Sequence, residues 1–179
     1  MKKAFIFLVA AGISACSTAG TTISIPQQRG EPPVMVDEDN PAVTAYGYYG
    51  MNETTHRSEL RSLTGVDPKR TEWCAAFVNA VLEESGIKSN KDHKYPLTAR
   101  AFLDWGVPIN KEDIQPGDVV VFPRGNQGWQ GHVGFFLRKQ IINGQEYWLI
   151  LGGNQNNRVS VAPYRASKSL GIRRPESTQ

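Results

Sequence analysis

Apolar and polar positions divide the chain into four stretches of different texture. Ala4 to Ile13 is an uncharged apolar run behind the basic Met1-Lys2-Lys3, too short to span a bilayer as a mature helix. Residues 17–40 hold few core-forming residues and carry Pro26, Pro32 and Pro33, the composition of an extended tether. Helical periodicity begins at Pro41, which suits a first helical turn capped by Asn40, and Ala42 to Tyr49 is expected to be helical up to Gly50. A second short helix runs from a cap at Thr54 or Thr55 through Leu63 and closes at Gly65. A third starts from a Thr71 cap, places Phe77, Val81 and Leu82 on one face, and stops at Gly86. Thr98 to Trp105 reads as a fourth helix, ended by Gly106.

The texture then becomes β. Gln115-Pro116-Gly117-Asp118 has Pro and Gly where a type II turn needs them. Strands are expected at Val119–Phe122, His132–Leu137, Tyr147–Leu151 and Arg158–Ala162, with a glycine-rich loop from Pro123 to Gly131 and a hairpin turn at Asn143-Gly144. Helices followed by an antiparallel β meander make an α+β domain over residues 41–179.

With 179 residues, 40% of them hydrophobic, the chain holds one domain and its tails. No internal repeat is visible, which excludes solenoids and propellers. The formal charge is +3; without residues 1–15, Lys+Arg falls from 20 to 18 against 17 Asp+Glu, leaving +1. Neither a strong basic field nor a Lys/Arg stripe remains for nucleic acid.

Residues 1–15 read as an export signal. Ile13-Ser14-Ala15-Cys16 resembles a bacterial lipobox, in which cleavage before Cys16 leaves that residue acylated. Several acyl chains anchor a protein stably where one does not. The other reading is an ordinary signal cut near Ala15, with Cys16 a bystander. On the lipobox reading, residues 16–40 are a lipid-anchored flexible tether. Ser17 in place of Asp then suggests the outer membrane, with the domain facing the periplasm.

Lipidation of Cys16 leaves Cys74 as the single thiol, so no intrachain disulfide forms. Cys74 is then either a small buried hydrophobe or a nucleophile. Three residues after Thr71, it falls in the first turn of the third helix, where unpaired backbone N–H groups and the helix dipole favour a thiolate. A thiol nucleophile needs a base and an orienting group. His132 opens a strand directly after Gly131, sharing a face with Gly134 and Phe136, and Gly134 is expected to leave open space beside the imidazole. Asn154, after Gly152-Gly153, is the candidate orienter, although Gly-Gly-Asn-Gln-Asn-Asn equally suits a turn; Gln155 is the nearest substitute. Three His and one free Cys show no zinc spacing, so no metal or other cofactor is expected. Trp73 and Trp129, with Gln155, are candidates for lining a substrate groove, Trp129 being the best placed.

Four motifs occur in order: Trp73-Cys74-Ala75-Ala76-Phe77-Val78-Asn79, Pro116-Gly117-Asp118-Val119-Val120-Val121-Phe122, Gly131-His132-Val133-Gly134-Phe135 and Leu151-Gly152-Gly153-Asn154-Gln155. Together they resemble the CHAP and NlpC-type superfamily of papain-like cell-wall hydrolases, over residues 42–174. The resemblance implies a papain-like α+β domain, Cys74 as nucleophile and His132 as base, with a third residue that varies in kind across the superfamily and falls here on Asn154. It implies peptidoglycan as partner, cut at a stem-peptide amide or at the sugar–peptide junction. Two other readings stay open at this point: a non-catalytic peptidoglycan-binding lipoprotein, and a cysteine peptidase or acyltransferase acting on a protein partner.

Overall fold

A computed structural model describes residues 22–25 and 34–176. The expected signal segment, Cys16 and residues 17–21 and 26–33 of the tether lie outside those residues. Within the tether, Thr22–Ile25 (β1) and Val34–Asp37 (β2) pair antiparallel, Thr22 opposite Asp37 and Ile25 opposite Val34. Thr22-Ile23-Ser24-Ile25 alternates with period two, and the reading of residues 16–40 as an extended spacer did not include this ribbon.

The domain is α+β, as expected. Helix α1 spans Pro41–Tyr46, with the Asn40 side chain accepting from the Ala42 N–H at 3.0 Å and Pro41 in the first turn. Helix α2, Arg57–Thr64, is closed by Gly65 at φ 74°. The expected Thr54 or Thr55 cap is replaced by an Asn52 turn, whose Oδ1 accepts from both threonine N–H groups at 3.0 Å. Helix α3, Cys74–Glu84, is buried from Cys74 to Leu82. Asn79 is buried there because its amide is used: it accepts from the Asn90 N–H at 2.8 Å and donates to the Pro96 carbonyl at 2.9 Å. The fourth expected helix is a 3-10 segment, Ala99–Asp104. It is short, and Gly106 at φ 58° must pass against the Arg174 carbonyl, which leaves no room to extend it.

Six strands form one antiparallel sheet: Val107–Pro108 (β3), Val119–Pro123 (β4), Gly131–Ile142 (β5), Gln145–Gly152 (β6), Ser160–Arg165 (β7) and Gly171–Arg174 (β8), in the order β3-β8-β4-β5-β6-β7. The meander holds from β4 to β7. The last strand, however, returns to the far side of β4 and pairs with β3, two strands that the sequence pattern did not reveal.

Alternation along β4 and β5 divides the core. Val119, Val121, Val133 and Phe135 face the helices and pack with Trp73, Phe77, Val81 and Leu82. Val120, Phe122, Phe136, Trp148 and Ile150 make a second apolar layer on the opposite face. Asp118, buried in the turn before β4, is held by Arg174 of β8 through a bidentate pair at 2.7 and 2.8 Å and locks the inserted strand in place.

Candidate active site

The site forms where the first turn of α3 meets the beginning of β5 and the loop after β6. Thr71 does not cap α3. Its N–H closes a turn onto the Asp67 carbonyl at 3.1 Å, and the helix begins at Cys74 with Trp73 in the cap position and no capping side chain. First-turn amides therefore stay available. The N–H groups of Ala75 and of Val133, the residue after His132, both act to lower the Cys74 thiol. Helix start and strand start thus act on the same group.

Burial nevertheless outweighs these donors. It pushes the Cys74 thiol up from its ordinary value, against the lowering effects of the Arg124 charge and the two amides. The expectation of a resting thiolate from helix position alone does not allow for this desolvation. His132 moves the other way: burial first, then the Arg124 charge, bring the ring down to about 4, against a raising hydrogen bond from Gln155. At neutral pH both groups are uncharged.

The imidazole is clamped on three sides. Its Nε2 lies 3.2 Å from Gln155 Oε1. Tyr164 of β7 stacks on one face, centroids 5.2 Å apart and planes within 8°, and itself stacks on Phe122 at 4.7 Å. Gly152 leaves the ring its space, since a Cβ there would sit 3.3 Å from Nε2. Nδ1 is buried without a hydrogen-bond partner.

Gln155 fixes the proton on this ring. Its Nε2 donates to backbone carbonyls of Ile150 at 3.2 Å, Gly152 at 3.3 Å and Ser160. Carbonyls only accept, so the NH₂ end must face them and the oxygen must face His132. Nε2 of the ring then carries the hydrogen and donates it to Oε1. The lone pair of the neutral ring is left on Nδ1.

The position expected of Asn154 is therefore occupied by Gln155. The Asn154 side chain turns away and donates to Glu72 Oε2 at 2.6 Å. The cause is backbone conformation: Asn154, Asn156 and Asn157 all hold left-handed φ angles of 58°, 52° and 61°, a region that Asn tolerates better than other side-chain-bearing residues. Gly153 brings this loop against α3, since a Cβ there would stand 2.5 Å from Trp73 Cζ3 and 2.7 Å from Phe77 Cβ. Trp73, expected in a groove, is instead fully buried and packs edge-on to Phe77 beneath this loop. The open space expected beside Gly134 is also filled, by the Ile150 side chain and the Leu151 carbonyl. Trp129 is 67% exposed, in the loop that leads to His132. That loop is pinned by Gln130 Oε1, which accepts from the Asn126 and Gln127 N–H groups.

Residues 66–154 match the CHAP domain family. The chain carries a CHAP domain. That places it in the CHAP/NlpC-type superfamily of peptidoglycan hydrolases that the four motifs resembled, and CHAP domains are generally hydrolases acting on peptidoglycan. No curated protein matches the chain. The matched stretch holds Cys74 and His132 and ends one residue before Gln155. Among the described residues, no group of three or more His, Cys, Asp or Glu is placed to hold a metal ion. Read from the sequence, Arg124 is by default an exposed loop residue, with a stem-peptide carboxylate as its one candidate partner, and Tyr164 has no part in this chemistry; Tyr164 carries no signal, since only the register of β7 brings it over the imidazole.

Proposed function

We propose that this CHAP domain cleaves an amide bond of peptidoglycan, in the stem peptide or at the sugar–peptide junction, with Cys74 as nucleophile, His132 as base and Gln155 as the group that orients the base. The observation that carries the reading is the proton address on His132. Gln155 holds the hydrogen on Nε2, and the unpaired Nδ1 is buried beside the residue whose N–H acts on the Cys74 thiol. A buried imidazole with an orphaned lone pair is costly as mere packing, and it is what a general base requires.

In the reaction, His132 Nδ1 takes the thiol proton as the sulfur attacks the amide carbon. The Cys74 backbone N–H, without an intrahelical partner at the helix start, serves the oxyanion. Collapse of the tetrahedral intermediate breaks the C–N bond, and the imidazolium gives its proton to the leaving amine. Water then attacks the thioester with His132 again as base, releasing the acid and restoring the thiol. Trp129, exposed beside the loop to His132, lines the approach for substrate.

The domain acts from a membrane anchor in this reading. Cys16 is acylated after removal of residues 1–15, residues 16–40 separate the domain at 41–179 from the bilayer, and Ser17 directs the protein to the outer membrane, facing the periplasm. Support lies in the Ile-Ser-Ala-Cys site and the apolar run before it. Two experiments test the whole. Sacculi incubated with the soluble domain are expected to release fragments whose masses identify one amide bond, and intact sacculi would refute hydrolysis. Cys16→Ala is expected to abolish lipid labelling, and unchanged labelling would refute the anchor.

A further inference from the structure

Each member of the proposed machinery has a polar neighbour in the chain, and these three neighbours meet one another. Glu72 lies two residues before Cys74, Asn154 immediately precedes Gln155, and Arg124 follows Pro123, whose strand partner Gly131 precedes His132. Asn154 Nδ2 donates to Glu72 Oε2 at 2.6 Å, Arg124 Nη1 stands 3.4 Å from that same oxygen, and Arg124 Nη2 donates to the Asn154 carbonyl at 3.2 Å. The Arg124 side chain is 41% exposed and that of Glu72 is 77% exposed.

Arg124 is thus held at the rim by one neutral carbonyl and one long ion pair open to water. Such a pair is worth little, so an incoming anion displaces Glu72 at small cost. The guanidinium has five N–H donors in a planar fork, most of them unspent here. Its charge is felt by both Cys74 and His132, so it stands close to the bond being cut. The occupant that the fold itself supplies is a carboxylate, a partner that a planar fork matches in bidentate geometry.

We propose that Arg124 is a substrate anchor that binds a carboxylate on the residue flanking the scissile amide, with Glu72 holding the fork while the site is empty. The inference rests on the hydrolase reading for the identity of the bond, and its test separates the two. The Cys74→Ala form binds without turnover. Its affinity is measured for two pairs of synthetic stem-peptide analogues, the members of each pair differing only in a free carboxylate or a carboxamide next to the amide. One pair carries the group on the acyl side and the other on the amine side.

In one pair the carboxylate is expected to bind about five- to tenfold tighter, the size of a partly exposed charge-assisted contact. Arg124→Gln should bring that ratio to one, Arg124→Lys should retain part of it, and Glu72→Gln should enlarge it by removing the internal competitor. Because the ratio compares two ligands on one protein, any effect of Arg124 on loop order cancels. Equal affinities in both pairs, absence of binding included, or a ratio that survives Arg124→Gln, overturns the anchor. Sacculus digestion by the unaltered protein is scored separately. Digestion without a carboxylate preference refutes the anchor alone, and a preference without digestion refutes the hydrolase reading alone.

Discussion

Burial of a neutral His132 makes the fold acid-labile by an amount that follows from the site. The ring titrates at 6.5 in an unfolded chain and at about 4 in the folded one, where burial and the Arg124 charge oppose its protonation. Between these values the unfolded chain takes up a proton and the folded chain does not, so stability falls as pH falls. The full effect is about 3 kcal/mol below both values, and about 2 kcal/mol of it is expressed between pH 7 and pH 4.5. Cys74 adds nothing over this interval, because its raised titration keeps it protonated at both ends. Urea unfolding at the two pH values, for wild type and His132→Gln, isolates the term, since carboxylate effects elsewhere are common to both proteins. The variant is expected to lose about 2 kcal/mol less stability than wild type across the interval. Equal losses would refute the account of a buried neutral imidazole. On the proposed mechanism the same ring is expected to let turnover persist toward pH 4 instead of failing through 6.5, which a pH series on sacculi reads directly.

Gln155→Ala is expected to cost about 10²-fold in kcat/KM, because the ring loses the contact that sets its tautomer, while Asn154→Ala costs less than about tenfold; equal losses would refute the assignment of the orienter. Gly153→Ala forces a methyl group into Trp73 and Phe77 and is expected to lower stability by about 1–3 kcal/mol, visible as a lower urea midpoint; an unmoved midpoint would show that the loop yields freely. Arg174→Ala strands the buried Asp118 carboxylate at a cost of about 3 kcal/mol at neutral pH, whereas an unchanged unfolding curve would mean that the pair does not hold β8 in the sheet.

The nucleophile and base candidates were legible because each is a scarce residue type at a telling place: one of two cysteines, at a helix start, and one of three histidines, at the beginning of a strand. The amide that contacts the imidazole was legible only to within one residue. In Gly-Gly-Asn-Gln-Asn-Asn both amides are chemically eligible, and the choice is made by three left-handed Asn backbones that turn Asn154 outward and Gln155 inward. Trp73 shows a different limit. Its place beside Cys74 could be read along the chain, but which side of the helix start faces solvent depends on the loop that Gly153 lays over it. The meander from β4 to β7 followed from alternation and turn residues. The β8 strand did not, because a four-residue segment gains its partners from distant β3 and β4, and such pairing leaves little local pattern.

The uncharged resting pair has a redox consequence. Oxidants attack thiolate rather than thiol, and Cys74 is both buried and held protonated beside an imidazole that cannot take its proton at rest. On the proposed mechanism, an amide in the orienting position supplies a dipole but no negative charge to stabilise an imidazolium, so the ion pair forms only as substrate supplies the acceptor for the sulfur. The thiol is therefore shielded from peroxide between turnovers, without a disulfide partner or a reducing environment. Peroxide at neutral pH should convert Cys74 to sulfenic acid more slowly than it oxidises free cysteine, as measured by mass spectrometry. Faster conversion would mean that the thiolate is already present before substrate arrives.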